Sequence, residues 1–381
     1  MIYLDNAATT FPKSDGVYLA MDEANRKLNF NSGRGGYKKA SEATALIDDT
    51  KQLLKELVNA PNSSSVVFSS SITLALNQII RGLDIKQNDN IFVTPYEHNA
   101  VARTVKDVCE KKGANLIELP LNESLEIDLE KTKYLFAKHR PKCVCCIHVS
   151  NVTGYIVPYG EIFSEAKKFD AITVLDTAQS LGLVDIDLKE SKIDFLAFAG
   201  HKALYGPMGI GGFIDNSSIV LDTVYTGGTG SDSLNLKMSE KKPNRYEASS
   251  QNIVAIAGLK QALLEIDVKE NSKKEKELGN YLIRRLKEES GIYLYLPEQL
   301  DDNHIGVISF NVDGYHADEI GLILDQDYEI CVRSGYHCAP FIHKYLDDIK
   351  CNGTVRIGLG KYTTKDEIDS LVLALRDLIS Y

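Results

Sequence analysis

The sequence predicts an α/β fold: a mainly parallel sheet with helices on both faces, followed by a smaller α+β C-terminal domain. Three observations predict it. Short apolar runs alternate with amphipathic helical segments through the first two-thirds of the chain, the pattern of strands buried on both faces. The chain has 381 residues, 44% hydrophobic and 25% charged, which is globular composition at a length that suits two domains. A long, increasingly charged helical stretch from Asn252 to Glu289 then bridges to a second lobe.

In chain order, the first dozen residues read as an arm. Val66-Val67-Phe68, Asn90 to Val93, Cys143 to Val149, Ile172 to Leu175, Phe195 to Phe198 and Gly211 to Ile214 read as short buried strands. Asn99 to Lys111 and Gly160 to Lys168 read as amphipathic helices between them. The second lobe holds Ile305 to Asn311 as a strand, a short strand around Ile330 to Arg333, and a closing helix from Thr364 to Ile379. Thr364 with Glu367 three residues later forms a capping box. The expected division is an arm over 1–14, a large domain over 15–255 and a small domain over 256–381.

The net charge of −10 argues against nonspecific nucleic-acid binding, because no basic surface is available to neutralise phosphates. No apolar run approaches the ~20 residues of a membrane span. The opening Met1-Ile2-Tyr3-Leu4-Asp5 has no basic stretch followed by an apolar one, so no signal peptide is expected and the expected location is cytoplasmic. Seven cysteines are an odd number in a large chain, which favours reduced thiols over a disulfide framework. Cys143, Cys145 and Cys146 lie on one apolar strand whose adjacent positions face opposite ways. They read as buried thiols, and no metal is expected.

Two polar residues stand at the ends of apolar strands, where open α/β sheets bind ligands. Asp176 ends Thr173-Val174-Leu175-Asp176; alone it equally fits a helix cap or a metal-binding carboxylate. Lys202 ends Phe198-Ala199-Gly200-His201-Lys202 beside a glycine-rich loop; alone it would be a solvated lysine. Together they suit pyridoxal phosphate, which needs an acid opposite its pyridine nitrogen and an amine to hold its aldehyde. The run Ser69 to Leu76 follows another strand and offers hydroxyls and N–H groups of Ser71, Ile72 and Thr73 to a phosphate, though it also reads as a simple turn cap. His98 follows a further strand end, where an imidazole can stack on a flat ring and shuttle protons near neutral pH as a catalytic group; alone it would read as a structural loop histidine. Cys338 stands after a glycine, beside His337 and five residues from Arg333; a nearby cation favours thiolate, and the alternative is an ordinary surface cysteine.

These segments together resemble the class V aminotransferases, within them the cysteine desulfurase and selenocysteine lyase branch. The likeness spans the chain: Tyr3-Leu4-Asp5-Asn6-Ala7-Ala8-Thr9-Thr10, Asn31-Ser32-Gly33-Arg34-Gly35, His148-Val149-Ser150-Asn151, Asp176-Thr177-Ala178-Gln179, Gly200-His201-Lys202 and Arg333-Ser334-Gly335-Tyr336-His337-Cys338-Ala339. The resemblance implies fold type I of the pyridoxal-phosphate enzymes, with a seven-stranded-type sheet, as a homodimer. It implies that Lys202 holds the cofactor aldehyde, Asp176 pairs with the pyridine nitrogen, Gln179 bonds the phenolic oxygen and His98 stacks on the ring. Thr73, His201 and Ser250 of the partner subunit would hold the phosphate. Arg356 and Asn151 would grip the substrate carboxylate, with Ala8 and Arg34 nearby. Cys338 would take sulfur from cysteine, or selenium from selenocysteine, and hand it to an acceptor protein, as in iron–sulfur cluster biogenesis. Three positions depart from the family pattern: Ala199 for serine, Gly33 for histidine and Tyr336 for histidine. The rivals are a class V transaminase or β-lyase with Cys338 incidental, and a sulfur-carrier protein without cofactor.

Overall fold

The computed structural model describes residues 1–33, 35–229, 234–296 and 303–380. Among the described residues, the chain opens with β1 (Ile2–Tyr3), α1 (Asp15–Lys27) and α2 (Lys38–Leu57). Then come β2 (Ser65–Ser69), α3 (Ile72–Gly82), β3 (Asn90–Val93), α4 (Asn99–Lys112), β4 (Asn115–Glu118), α5 (Leu129–His139), β5 (Pro141–Ile147), α6 (Tyr159–Lys167), β6 (Ile172–Asp176), β7 (Phe195–Ala199) and β8 (Gly211–Asp215). These strands form one seven-stranded sheet in the order β2-β8-β7-β6-β5-β3-β4. Only β8 runs against its neighbours; β3 pairs in parallel with β4 and β5, β5 with β6, and β6 with β7. The strand interiors are Val, Ile, Leu, Phe and Cys with almost no exposure, as a sheet covered on both faces requires.

The bridging stretch is two helices, not one. In α7 (Ile253–Leu264) apolar residues surround the axis, and the helix is buried against α1 and α2. After Asp267, whose side chain caps the next N-terminus, α8 (Val268–Lys287) turns an amphipathic face onto the second lobe. That lobe is an antiparallel sheet β12-β13-β10-β9, made of β9 (Ile292–Tyr295), β10 (Val307–Val312), β12 (Arg333–Gly335) and β13 (Thr354–Gly358). Between β10 and β12 lie α9 (Ala317–Tyr328) and β11 (Ile330–Cys331); α10 (His343–Leu346) and α11 (Lys365–Ile379) complete the chain. The Thr364–Glu367 capping box forms as expected.

The N-terminal segment ties the two sheets together. β1 pairs in parallel with β11, and Asp5 bridges to Gly358. Gly358 has no room for a side chain, since a Cβ there would sit 2.4 Å from the Ala7 nitrogen. This close approach fixes Asp5, Ala7 and Ala8 above the carboxyl edge of the large sheet. Among the described residues, no helix is long and apolar enough to cross a membrane.

Candidate active site

The carboxyl edge of the parallel strands gathers the polar residues. β6 ends in Asp176, buried at 3% exposure. Its Oδ1 accepts the Ala178 N–H at 2.9 Å. Burial raises its pKa, and that hydrogen bond and the Lys202 charge oppose the rise. Lys202, half-buried past the end of β7, is pushed down from 10.5 to about 8, first by burial. Asp176 opposes this shift, while Arg356 and Arg333 add to it. An amine held this way reaches its neutral, nucleophilic form far more readily than a solvated lysine.

β3 delivers His98 as the N-cap of α4; its Nδ1 accepts the Ala100 N–H at 3.1 Å. Burial first, then Lys202, Arg333, Arg356 and Arg103, lower its pKa to about 4, so the ring is neutral near pH 7. His201 is likewise lowered to about 4, and its carbonyl accepts from Thr9 and Thr10 hydroxyls at 3.0 and 3.2 Å. β2 leads into α3, whose cap is Ser71 accepting from the Leu74 N–H at 3.3 Å. Ser70 and Thr73 are exposed at this helix start. Gly211 lets β8 press against it, because a Cβ there would lie 2.8 Å from the Ile72 nitrogen. A helix N-terminus with free hydroxyls beside it is suited to an anion.

The second lobe brings two arginines face to face: Arg333 on β12 and Arg356 on β13 are cross-strand partners. Like charges so placed repel, and each guanidinium turns to a separate partner. Arg356, 1% exposed, donates from Nη2 to Asp5 Oδ1 at 2.7 Å and from Nη1 to the Asn151 carbonyl at 3.0 Å. Arg333 Nη2 lies 3.3 Å from Cys338 Sγ. Cys338 sits on a loop where His337 and Cys338 both have left-handed backbone, φ 46° and 58°. Such conformations in non-glycine residues persist where surroundings over-determine them. Here the Asn151 amide donates to the His337 carbonyl at 2.7 Å, and the Asn99 N–H to the Cys338 carbonyl at 2.7 Å. The half-buried thiol opens outward onto a groove of about 990 Å³ lined by Arg103, Tyr336 and Pro340.

Known proteins match this chain along nearly all of its length. The family model for aminotransferase class-V matches residues 2–371. The chain belongs to this family. A probable cysteine desulfurase of Pyrococcus abyssi is 34% identical across 100% of this chain and 94% of its own. One of Halalkalibacterium halodurans is 32% identical with the same coverage. The apo structure of a cysteine desulfurase from Thermococcus onnurineus superposes with a TM-score of 0.91 at 31% identity, covering 100% of this chain and 94% of that one.

Within this class-V aminotransferase the residues singled out in the sequence fall into three groups. Asp176, Lys202, His98, Arg356 and Arg333 form one electrostatic cluster. Gln179 joins its rim, donating to the Ala7 carbonyl at 2.8 Å, with Ala8 next in the chain. Ser71, Ile72 and Thr73 open α3. Ser250 lines two cavities, one of about 380 Å³ shared with Ser70 and Leu74, the other of about 440 Å³ with Asn31 and Lys51. Arg34 lies outside the described residues.

Some details differ from expectation. His337 is not the cation beside the sulfur: it is 2% exposed and turned to Thr354, with Nε2 at 2.8 Å from Oγ1. Burial, reinforced by Arg356, pushes its pKa well down and keeps it neutral. Arg333 alone of the two stands by the thiol. Asn151 spends its amide N–H on the nucleophile loop, leaving its oxygen buried without a partner among the described residues. Cys143, Cys145 and Cys146 are buried as expected. Cys143 and Cys145 share a face at 3.9 Å; that contact and then burial push Cys145 well up, and burial does the same for Cys146. Two participants went unrecognised in the sequence. Asp5 receives the Arg356 guanidinium, and Lys13, lowered to about 8 by burial, donates to the His201 carbonyl at 3.0 Å.

The edge fits pyridoxal phosphate. An acid and a depressed lysine stand together, a capped helix start lies open, and His201 Nδ1, Asn151 Oδ1 and Arg356 Nε are buried without partners among the described residues. Asp176 would face the pyridine nitrogen, His98 the ring, Lys202 the aldehyde, and the start of α3 the phosphate.

Proposed function

We propose that this chain is a pyridoxal-phosphate cysteine desulfurase, converting L-cysteine to L-alanine and leaving sulfur on Cys338. The observation that carries this reading is the Cys338 sulfur 3.3 Å from Arg333, on a tightly tethered loop whose arginine partner also acts on Lys202. A transaminase has no use for such a thiol. The names of the full-length relatives support the same activity.

When bound, pyridoxal phosphate supplies an aldehyde for amines and a ring that withdraws electrons. The chain's residues do the rest. Asp176 supplies the negative charge that keeps a pyridine nitrogen protonated. Arg356 orients the substrate carboxylate, and Lys202, held near neutrality, takes and returns the Cα proton. Arg333 stabilises negative charge on Cys338. The Cys338 thiolate attacks the substrate sulfur: the sulfur–sulfur bond forms as the Cβ–sulfur bond breaks, the electron pair of that bond stays with Cβ, and Cβ gains the proton that the substrate thiol gives up. The product on the protein is a persulfide, from which an acceptor protein would draw sulfur. Selenocysteine fits the same geometry.

We read the protein as cytoplasmic and as a homodimer. Leu234 and Leu236, at 97% and 102% exposure, support burial of that loop by a second copy, and Ser250 of the partner subunit would complete the phosphate site. The test is Cys338→Ala, expected to keep the cofactor absorbance and lose alanine formation from cysteine. Full activity would place this chain among the β-lyases.

A further inference from the structure

A buried pair behind the nucleophile loop has no part in the chemistry above. His343 opens α10, and Asp348 lies five residues on; they are 4% and 0% exposed. The imidazole Nδ1 is 2.5 Å from Asp348 Oδ2, and Nε2 is 2.9 Å from the Tyr336 carbonyl. Both outer atoms are acceptors, while a neutral imidazole carries a single N–H. Both contacts are therefore hydrogen bonds only if the pair holds a second proton, on the line between His343 and Asp348. The Tyr336 ring closes over His343 edge-on, 5.0 Å between centroids and 84° between planes.

The tie falls at the start of the loop. Tyr336 precedes the two left-handed residues, and its carbonyl is the anchor ahead of those held by Asn151 and Asn99. Left-handed backbone in residues that carry a side chain is strained and persists only while its surroundings hold it. The Tyr336 carbonyl also accepts the Ala339 N–H at 3.0 Å within the turn; without the imidazole that local bond ties the turn only to itself, and the turn can shift and carry the sulfur away from Arg333.

We propose that Asp348 and His343 are a positioning pair for the nucleophile. Asp348 fixes the imidazole, the imidazole N–H holds the Tyr336 carbonyl, and that hold sets where the Cys338 sulfur stands. Neither residue touches a reacting atom, and the proposal rests on the desulfurase reading.

Three variants of the holoenzyme separate this role from simple burial of a polar pair. In His343→Gln the amide nitrogen reaches the place of Nε2 and keeps the Tyr336 bond. In His343→Asn the side chain stops at the place of Nδ1, keeping a donor for Asp348 and losing Tyr336. In Asp348→Asn the new amide donates to a neutral imidazole whose proton stays on Nε2. His343→Gln and Asp348→Asn should retain kcat for alanine formation within about tenfold, the scale of one hydrogen bond. His343→Asn should lose about 100-fold in kcat, the effect of misplacing a reacting group by about 1 Å. Its KM for cysteine and its cofactor absorbance should not change. Equal kcat in the Gln and Asn variants, or a loss appearing in KM, overturns the proposal. Iodoacetamide alkylation of Cys338 in the same holoenzymes needs no turnover: the Asn variant should depart from the wild-type rate and the Gln variant should match it. Wild-type alkylation in the Asn variant overturns the positioning role. A wild type that makes no alanine from cysteine sinks the desulfurase reading instead, and the alkylation rates then decide the pair's role alone.

Discussion

Arg356→Lys is expected to raise KM for cysteine by about 10- to 150-fold. The native guanidinium is buried and works in two directions at once, to Asp5 at 2.7 Å and to the Asn151 carbonyl at 3.0 Å, with Nε unpartnered among the described residues. A free donor next to a fixed cation is what a substrate carboxylate would meet. Lysine keeps the charge as a single point on a flexible stem. It can answer Asp5 or a substrate carboxylate but cannot hold both and the Asn151 carbonyl as well. Losing one charge-assisted hydrogen bond to the substrate costs about 1.5–3 kcal/mol, which is the KM range above. The unpaired buried carbonyl should also lower the melting temperature. The assay is steady-state alanine formation over a range of cysteine concentrations, with kcat expected to change only a few-fold. A lower melting temperature with KM unchanged would refute the reasoning: Arg356 would then be a structural tie between the N-terminal segment and the second lobe.

Asp176→Asn should keep the Ala178 hydrogen bond and the cofactor but lose kcat on the order of 100-fold, since a fixed charge facing the site is removed; a near-native rate would contradict its placement. Glu275→Gln should raise stability at pH 8 and change it little at pH 4. Glu275 is 4% exposed, and burial lifts its pKa from 4.5 to about 8. Between those values the unfolded chain has lost a proton that the folded chain keeps, so stability falls as pH rises through that window. Thermal melts of both proteins across pH check this, and parallel curves would count against it.

The parallel core was legible because its strands are bare apolar runs with polar residues at their ends. β4 and β9 were not. Both are short edge strands, half-exposed, without the unbroken apolar signature. β13 was hidden by its own function: Thr354-Val355-Arg356-Ile357-Gly358 has an arginine at its centre, which breaks the pattern of a buried strand. Only the fold shows that Asp5, 351 residues away in sequence, makes that burial tolerable. The acid and the lysine at the sheet edge could be read from their positions after strands. The direction in which His337 turns could not, because it depends on Thr354 across the small sheet.

The central claim is that Cys338 receives sulfur from cysteine. Brief exposure of the holoenzyme to cysteine, followed by digestion without reductant and mass spectrometry, tests it directly. A gain of about 32 Da, one sulfur, is expected on the peptide containing Cys338, and none on the peptide containing Cys143, Cys145 and Cys146, which are buried in the sheet. Alanine accumulating while the Cys338 peptide stays unmodified throughout would contradict it.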